Sequence, residues 1–119
     1  VAWVVLFHEA FDAEFLALPR DVQTALAAKA RLLESFGPML RRPHADTLKN
    51  SKHRNMKELR FEAADGVWRV AFAFDVSRQA ILLVAGDKSG GSEGQFYRTL
   101  IAVADKRFDD HLMRQKEDE

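Results

Sequence analysis

The stretch Met56–Lys88, MKELRFEAADGVWRVAFAFDVSRQAILLVAGDK, constrains the chain more than any other, because an Asp65-Gly66 pair sits between two alternating runs. Asp-Gly in that setting is the strongest short hairpin signal, since a type I′ turn needs φ > 0 at both central residues. A turn centred on Asp65-Gly66 puts Ala64 opposite Val67, Glu62 opposite Arg69, Phe61 opposite Val70 and Arg60 opposite Ala71. Leu59, Phe61, Trp68, Val70, Phe72 and Phe74 then share one face, and Glu58, Arg60, Glu62, Arg69, Ala71 and Ala73 share the other. A third strand, Ala80–Gly86, follows a short loop at Ser77-Arg78 and pairs Phe74 with Ile81, Phe72 with Leu83 and Arg69 with Gly86. In this register Ile81, Leu83 and Ala85 join the aromatic face, while Leu82, Val84 and Lys88 join the arginine face.

Arg60 and Arg69 become diagonal neighbours, about 7–8 Å apart, with Lys88 just past the strand end on the same side. Guanidinium forks suit a phosphate or a carboxylate because each binds two oxygens at once. The same pattern equally fits arginines paired with Glu58 and Glu62 across a solvated sheet face.

The N-terminal third supplies the other layer. Ala2–His8, AWVVLFH, reads as a strand that is apolar on both sides, hence central in the sheet. Phe11, Phe15 and Leu18 then follow a helical period from about Glu9, and Pro19 opens a second helix that runs to Phe36 and stops at Gly37-Pro38. Both helices carry apolar stripes that need the Phe-rich face, which is the layer logic of an α+β domain. Residues 38–55 show no clean period and read as a long basic connection, either a functional segment or a solvated linker. Ser92–Gln95 fits a capping box that opens a C-terminal helix to about Met113, whose wide apolar face packs on the arginine face or on a partner. Tyr97 on that helix either presents its hydroxyl to the basic group or is a core tyrosine with one wet end.

At 119 residues the chain reads as a single domain, 1–119. It has no cysteine, which fits a reducing compartment and excludes thiolate chemistry. No apolar run approaches the ~20 residues that span a bilayer, and Val1–Phe7 is too short and lacks the basic flank of a signal peptide. The missing initiator methionine points to processing or trimming. Basic and acidic residues number 18 each, so the domain is not coated for nucleic acid. The charge is nevertheless uneven: Arg41, Arg42, Lys49, Lys52, Arg54, Lys57 and Arg60 stand against only Asp46 and Glu58 in residues 41–60, and the tail Glu117-Asp118-Glu119 is acidic. His44 and His53 are candidate proton-transfer groups, but neither is spaced with the partners of a metal site.

Several stretches together carry a family resemblance. Glu58-Leu59-Arg60, WRVAFAFD at Trp68–Asp75, ILLVAGDK at Ile81–Lys88, the FYRTLI and ADKRF run at Phe96–Phe108, LPRDVQ at Leu18–Gln23 and the basic run Arg42–Arg60 resemble the phage-derived HigB-like toxins of the RelE/ParE superfamily. The resemblance covers nearly the whole chain. It implies an antiparallel sheet with two N-terminal helices on one face, a concave basic face on the other, and a C-terminal helix. It also implies a cytoplasmic toxin of a type II toxin–antitoxin module that cleaves mRNA on the ribosome without metal or other cofactor, neutralised by a helix-turn-helix antitoxin. In that chemistry the 2′-OH attacks the adjacent phosphate, which needs a base, an acid and cations. The resemblance assigns phosphate and transition-state stabilisation to Arg60 and Arg69; Lys88 is the candidate for proton transfer or charge neutralisation, and Tyr97, from its place on the C-terminal helix, is counted with the catalytic group. Lys49, Lys52, His53, Arg54 and Lys57 fall to RNA binding, although the strand register turns Lys57 toward the helix face. The general base stays open. The other branch of the superfamily, the ParE-like toxins, shares the fold but inhibits DNA gyrase without chemistry; the convergent cations here favour the nuclease.

Overall fold

The Phe-rich sheet face does find the two N-terminal helices. The computed structural model describes residues 2–118, so Glu119 of the acidic tail, like Val1, lies outside the described residues. The elements are β1 (Val5–Phe7), α1 (Glu9–Leu16), α2 (Arg20–Phe36), a 3-10 turn (Gly37–Met39), β2 (Ala45–Thr47), β3 (Lys57–Ala63), β4 (Gly66–Phe74), β5 (Ala80–Asp87) and α3 (Glu93–Glu117). They form a five-stranded sheet in the order β1-β5-β4-β3-β2, antiparallel except for the parallel pair β1–β5. Phe11, Val22, Leu26 and Leu33 of the first two helices bury against Leu59, Val70, Phe72 and Leu82 of the sheet. Pro19 is the N-cap of α2, and Gly37, at φ +53°, ends it; a Cβ there would run into the Trp3 indole.

The first strand is an edge strand, not the central one its composition implies. Val5 and Phe7 pack on the helix side, while Val4 and Leu6 are 49% and 42% exposed. Apolar residues on both sides normally mark a central strand; here the outer set is left in the open. The basic segment 38–55 is not all loop either. Ala45–Thr47 pair with Leu59–Lys57 and add β2 as the other edge, a strand too short to show a period.

The hairpin turn is centred one residue earlier than Asp65-Gly66. Ala64 and Asp65 take the positive φ values, +49° and +60°, and Ala63 pairs with Gly66. Gly66 is needed for room: a Cβ there would lie 2.7 Å from the Asp87 carboxylate and 2.8 Å from Trp68 Nε1. The changed pairing makes Arg60 and Arg69 direct partners across the strands and not diagonal ones, with Phe61 opposite Trp68. Strand parity is preserved, so both hairpin faces stand as read.

On β5 the expected register holds at Arg69–Gly86 and fails further on. A bulge between the pairs Ala71–Val84 and Phe72–Leu82 leaves Leu83 unmatched. One extra residue exchanges the faces beyond it. Leu82 therefore joins the aromatic-side core, and Ile81 and Leu83 pack on the arginine side, the reverse of the simple register. There they meet α3, whose Leu100, Ile101, Ala104 and Phe108 cover them together with Met56, Ala71 and Ala73. The sheet thus has a core on each face, each large buried side chain contributing about 1.5–3 kcal/mol.

Candidate functional site

The arginine face is only partly covered. Between the β2–β3 side of the sheet and the first three turns of α3 lies an open cleft of about 890 Å³. Its walls bring Arg42, Lys49, Arg60, Lys88 and Arg98 together with Asp46, Glu58 and Glu93. Five cations against three carboxylates give the cleft a positive excess on a molecule with no net charge.

The floor of the cleft is built on Glu58. Its side chain is 4% exposed and points from β3 toward α3. Arg60 Nη1 donates to its Oε2 at 2.6 Å, and the Tyr97 hydroxyl donates to its Oε1 at 2.8 Å. Arg69 Nε donates to the Tyr97 oxygen at 3.3 Å and stands 3.8 Å from Glu58 Oε1. Two guanidiniums and a phenol thus share one buried carboxylate. Burial, and then the hydrogen bond to Glu58, push the Tyr97 hydroxyl above its ordinary pKa, so the phenol stays protonated at neutral pH.

The strand pairing brings Arg60 and Arg69 together, but with unequal access. Arg60, 21% exposed, lines the cleft. Arg69, 7% exposed, lies beneath Tyr97 with Nη1 on the Trp68 carbonyl and is not among the cleft-lining groups. Lys88 is at the rim: its ammonium binds Glu93 at 2.7 Å and sits 5.9 Å from the centre of the Tyr97 ring. That ammonium holds the Glu93 carboxyl below its ordinary range. Ser92 caps α3 by accepting from the Gln95 amide, which fixes where Glu93 and Tyr97 emerge.

The basic segment divides. Lys49 lines the cleft. Lys52 and His53 lie further along α3, bound to the two oxygens of Asp109 at 2.6 and 2.8 Å, while Ser51 and the Lys52 amide bind Asp105. Arg54 is exposed outside the cleft lining. Lys57 is on the aromatic side of the sheet, beside Trp3 and Phe74. None of the histidines lines the cleft: His8 binds Asp110, His44 accepts from Lys29, and His111 binds Asp75. Among the described residues no cluster of three metal-ligating side chains exists.

The residues sequence reasoning passed over are Arg42 and Arg98, and the central part played by Glu58. Gly94, Tyr97, Arg98, Ile101 and Ala102 all line the cleft, and their i, i+3, i+4, i+7, i+8 spacing marks one helix face. That signal was present in the sequence.

Comparison with known proteins agrees with this architecture. Residues 13–109 match the family described as "Phage derived protein Gp49-like (DUF891)". "Putative toxin HigB3" of Mycobacterium tuberculosis is 44% identical over 98 residues, 82% of this chain and 83% of that one. "Putative toxin HigB2" of the same organism is 41% identical over 105 residues, 87% of this chain, which spans about half (52%) of that longer protein. Among solved structures, a double-arginine mutant of the E. coli toxin RelE in the free state aligns with a TM-score of 0.59 at 13% identity, covering 86% of this chain and 96% of that one. The fold is therefore the RelE fold, and the chain belongs to the phage-derived Gp49-like family, as a relative of the putative HigB toxins.

Proposed function

We propose that the protein is the toxin of a type II toxin–antitoxin module and cleaves mRNA on the ribosome. The observation that carries this is the cleft floor, where Arg60, Arg69 and Tyr97 converge on Glu58. The substrate phosphate binds Arg60, which lines the cleft and commits Nη1 to Glu58. The ribose 2′-oxygen attacks the adjacent phosphorus and the P–O5′ bond breaks, leaving a 2′,3′-cyclic phosphate and a free 5′-OH. The 2′-OH proton passes to the Tyr97 oxygen as Tyr97 hands its own proton to Glu58 Oε1. The phenol remains neutral throughout, as its raised pKa favours. Lys88, released from Glu93, protonates the departing O5′. Arg69, beneath Tyr97, polarises that hydroxyl and offsets the charge gathering on the phosphate. Lys49, Arg42 and Arg98 hold the flanking RNA, with Lys52, His53 and Arg54 reaching ribosomal or messenger backbone beyond the cleft. The ribosome supplies the alignment of 2′-OH and phosphate, and a helix-turn-helix antitoxin supplies the neutralising partner.

The test is induction in a bacterial host with transcript-end mapping. New mRNA 5′ ends inside reading frames, with translation arrested, are expected. Intact messages alongside arrested replication overturn the nuclease and select the gyrase inhibitor.

A further inference from the structure

The proposed chemistry leaves a second group of cations unused. On the aromatic side of the sheet, a cavity of about 250 Å³ opens between the 3-10 turn, the start of β3 and the β4–β5 turn. Trp3 and Phe74 form its apolar wall, and Lys57 and Arg78 bring the positive charge. Asp75 also lines it, but its carboxylate is fully occupied. Oδ1 accepts the Ser77 and Gln79 amides, Oδ2 accepts from His111 and Gln115, and the side chain is 0% exposed. Among the described residues neither Lys57 nor Arg78 has a carboxylate partner; Arg78 lies over the Trp3 ring, 4.9 Å from its centre. Phe36, Met39 and Val76 are 53%, 79% and 75% exposed, each within two residues of a lining residue.

The chemistry of this surface fits a protein segment better than RNA. The Trp3 indole is covered by Arg78 on the ring and closed in by Gly37 and the edge-on Phe74, so it has no free face on which to stack a base. The three exposed apolar side chains would gain nothing from a phosphate backbone. Cations without a carboxylate partner beside an apolar wall, with exposed apolar side chains adjoining the lining residues in sequence, match a chain that presents carboxylates next to apolar residues.

We infer that this surface docks an acidic, apolar-bearing segment of the antitoxin. The inference rests on the toxin reading above, which requires such a partner. The docked segment sits behind the sheet, so it grips the protein without entering the cleft that holds Arg60 and Tyr97.

The probe is the protein's cognate antitoxin, titrated calorimetrically into wild type, Arg78→Glu and Met39→Asp at low and moderate salt. Both substitutions are at exposed positions outside the cleft, and matching thermal melts verify the fold. Each variant is expected to bind about tenfold more weakly or worse (~1.4 kcal/mol) while cleaving mRNA as wild type does. The Trp3 indole N–H resonance is expected to move in the wild-type complex. Binding of both variants within about twofold of wild type, with that resonance unmoved, overturns the inference. A wild-type protein that cleaves mRNA yet binds no antitoxin also overturns it and leaves the nuclease reading intact. Antitoxin binding through this surface without any cleavage does the opposite.

Discussion

Glu58 is the residue on which most depends. A buried carboxylate costs several kcal/mol to desolvate unless it is paired, and here it is held by Arg60, Tyr97 and the nearby Arg69. Removing it leaves Arg69 buried without a counter-charge. We expect Glu58→Ala to cost about 3–5 kcal/mol, clearly more than Arg60→Ala, whose loss still leaves Glu58 bonded to Tyr97. Urea denaturation of the two variants decides it, and equal or reversed losses would count against the hub. Tyr97 adds a pH dependence with a definite sign. Its hydroxyl is raised above its ordinary pKa in the fold, so its contribution is complete below about pH 10 and is lost as pH rises through the higher folded value. Tyr97→Phe is expected to flatten that alkaline loss of stability, as followed by circular dichroism.

At the scale of elements, the hairpin turn is where the chain departs from its own best signal. Asp-Gly predicts the glycine inside the turn, yet Ala64 takes a left-handed φ of +49° and Gly66 is the flanking partner. A left-handed alanine costs roughly 1–2 kcal/mol, part of which a glycine would return to unfolded-state entropy. Ala64→Gly is therefore expected to stabilise the protein by about 0.5–1 kcal/mol, measured as a higher urea midpoint; an unchanged or lower midpoint contradicts the turn assignment. Much of the fold could be read from periodicity. The two-sided hairpin, both N-terminal helices, the Pro19 and Gly37 boundaries of the second, and the placing of Arg60 and Arg69 on one face all follow from spacing, though their direct pairing does not. What spacing could not reveal was fixed by tertiary contacts. The β5 bulge moves Leu82 and Leu83 between faces without altering composition. The three-residue strand β2 is visible only because β3 pairs with it. The role of Glu58 as a shared acceptor emerged only once α3 brought Tyr97 over the sheet; residue type and register placed Arg60 and Arg69 on one face but left Tyr97 open between the basic group and the core.

At the scale of the molecule, α3 is held by two different means. Its middle packs on the sheet through Leu100, Ala104 and Phe108, while its C-terminal half is tied by polar contacts: Arg107 to Glu14, Asp109 to Lys52 and His53, and Arg114 to Glu9. These cations hold the Glu14, Asp109 and Glu9 carboxyls below their ordinary pKa values. The stability they lend is complete above the usual carboxylate range and is lost as pH falls through the lowered values. Exposed pairs are individually weak and screened by salt. Hydrogen exchange should accordingly show the segment after Phe108 losing protection below about pH 4, while β4 stays protected; simultaneous loss in both would contradict a separable helix end.

The central claim is that the cleft floor is a site of RNA cleavage. It is tested most directly by single-turnover cleavage of ribosome-bound mRNA by the purified protein and by its Arg60→Ala variant, with the ends of the fragments characterised. We predict 2′,3′-cyclic phosphate ends for the wild type and a rate at least about a hundredfold lower for the variant, of the order seen when a transition-state charge donor is removed. A variant that cleaves at the wild-type rate, or wild-type fragments ending in a 3′-OH, would contradict the account.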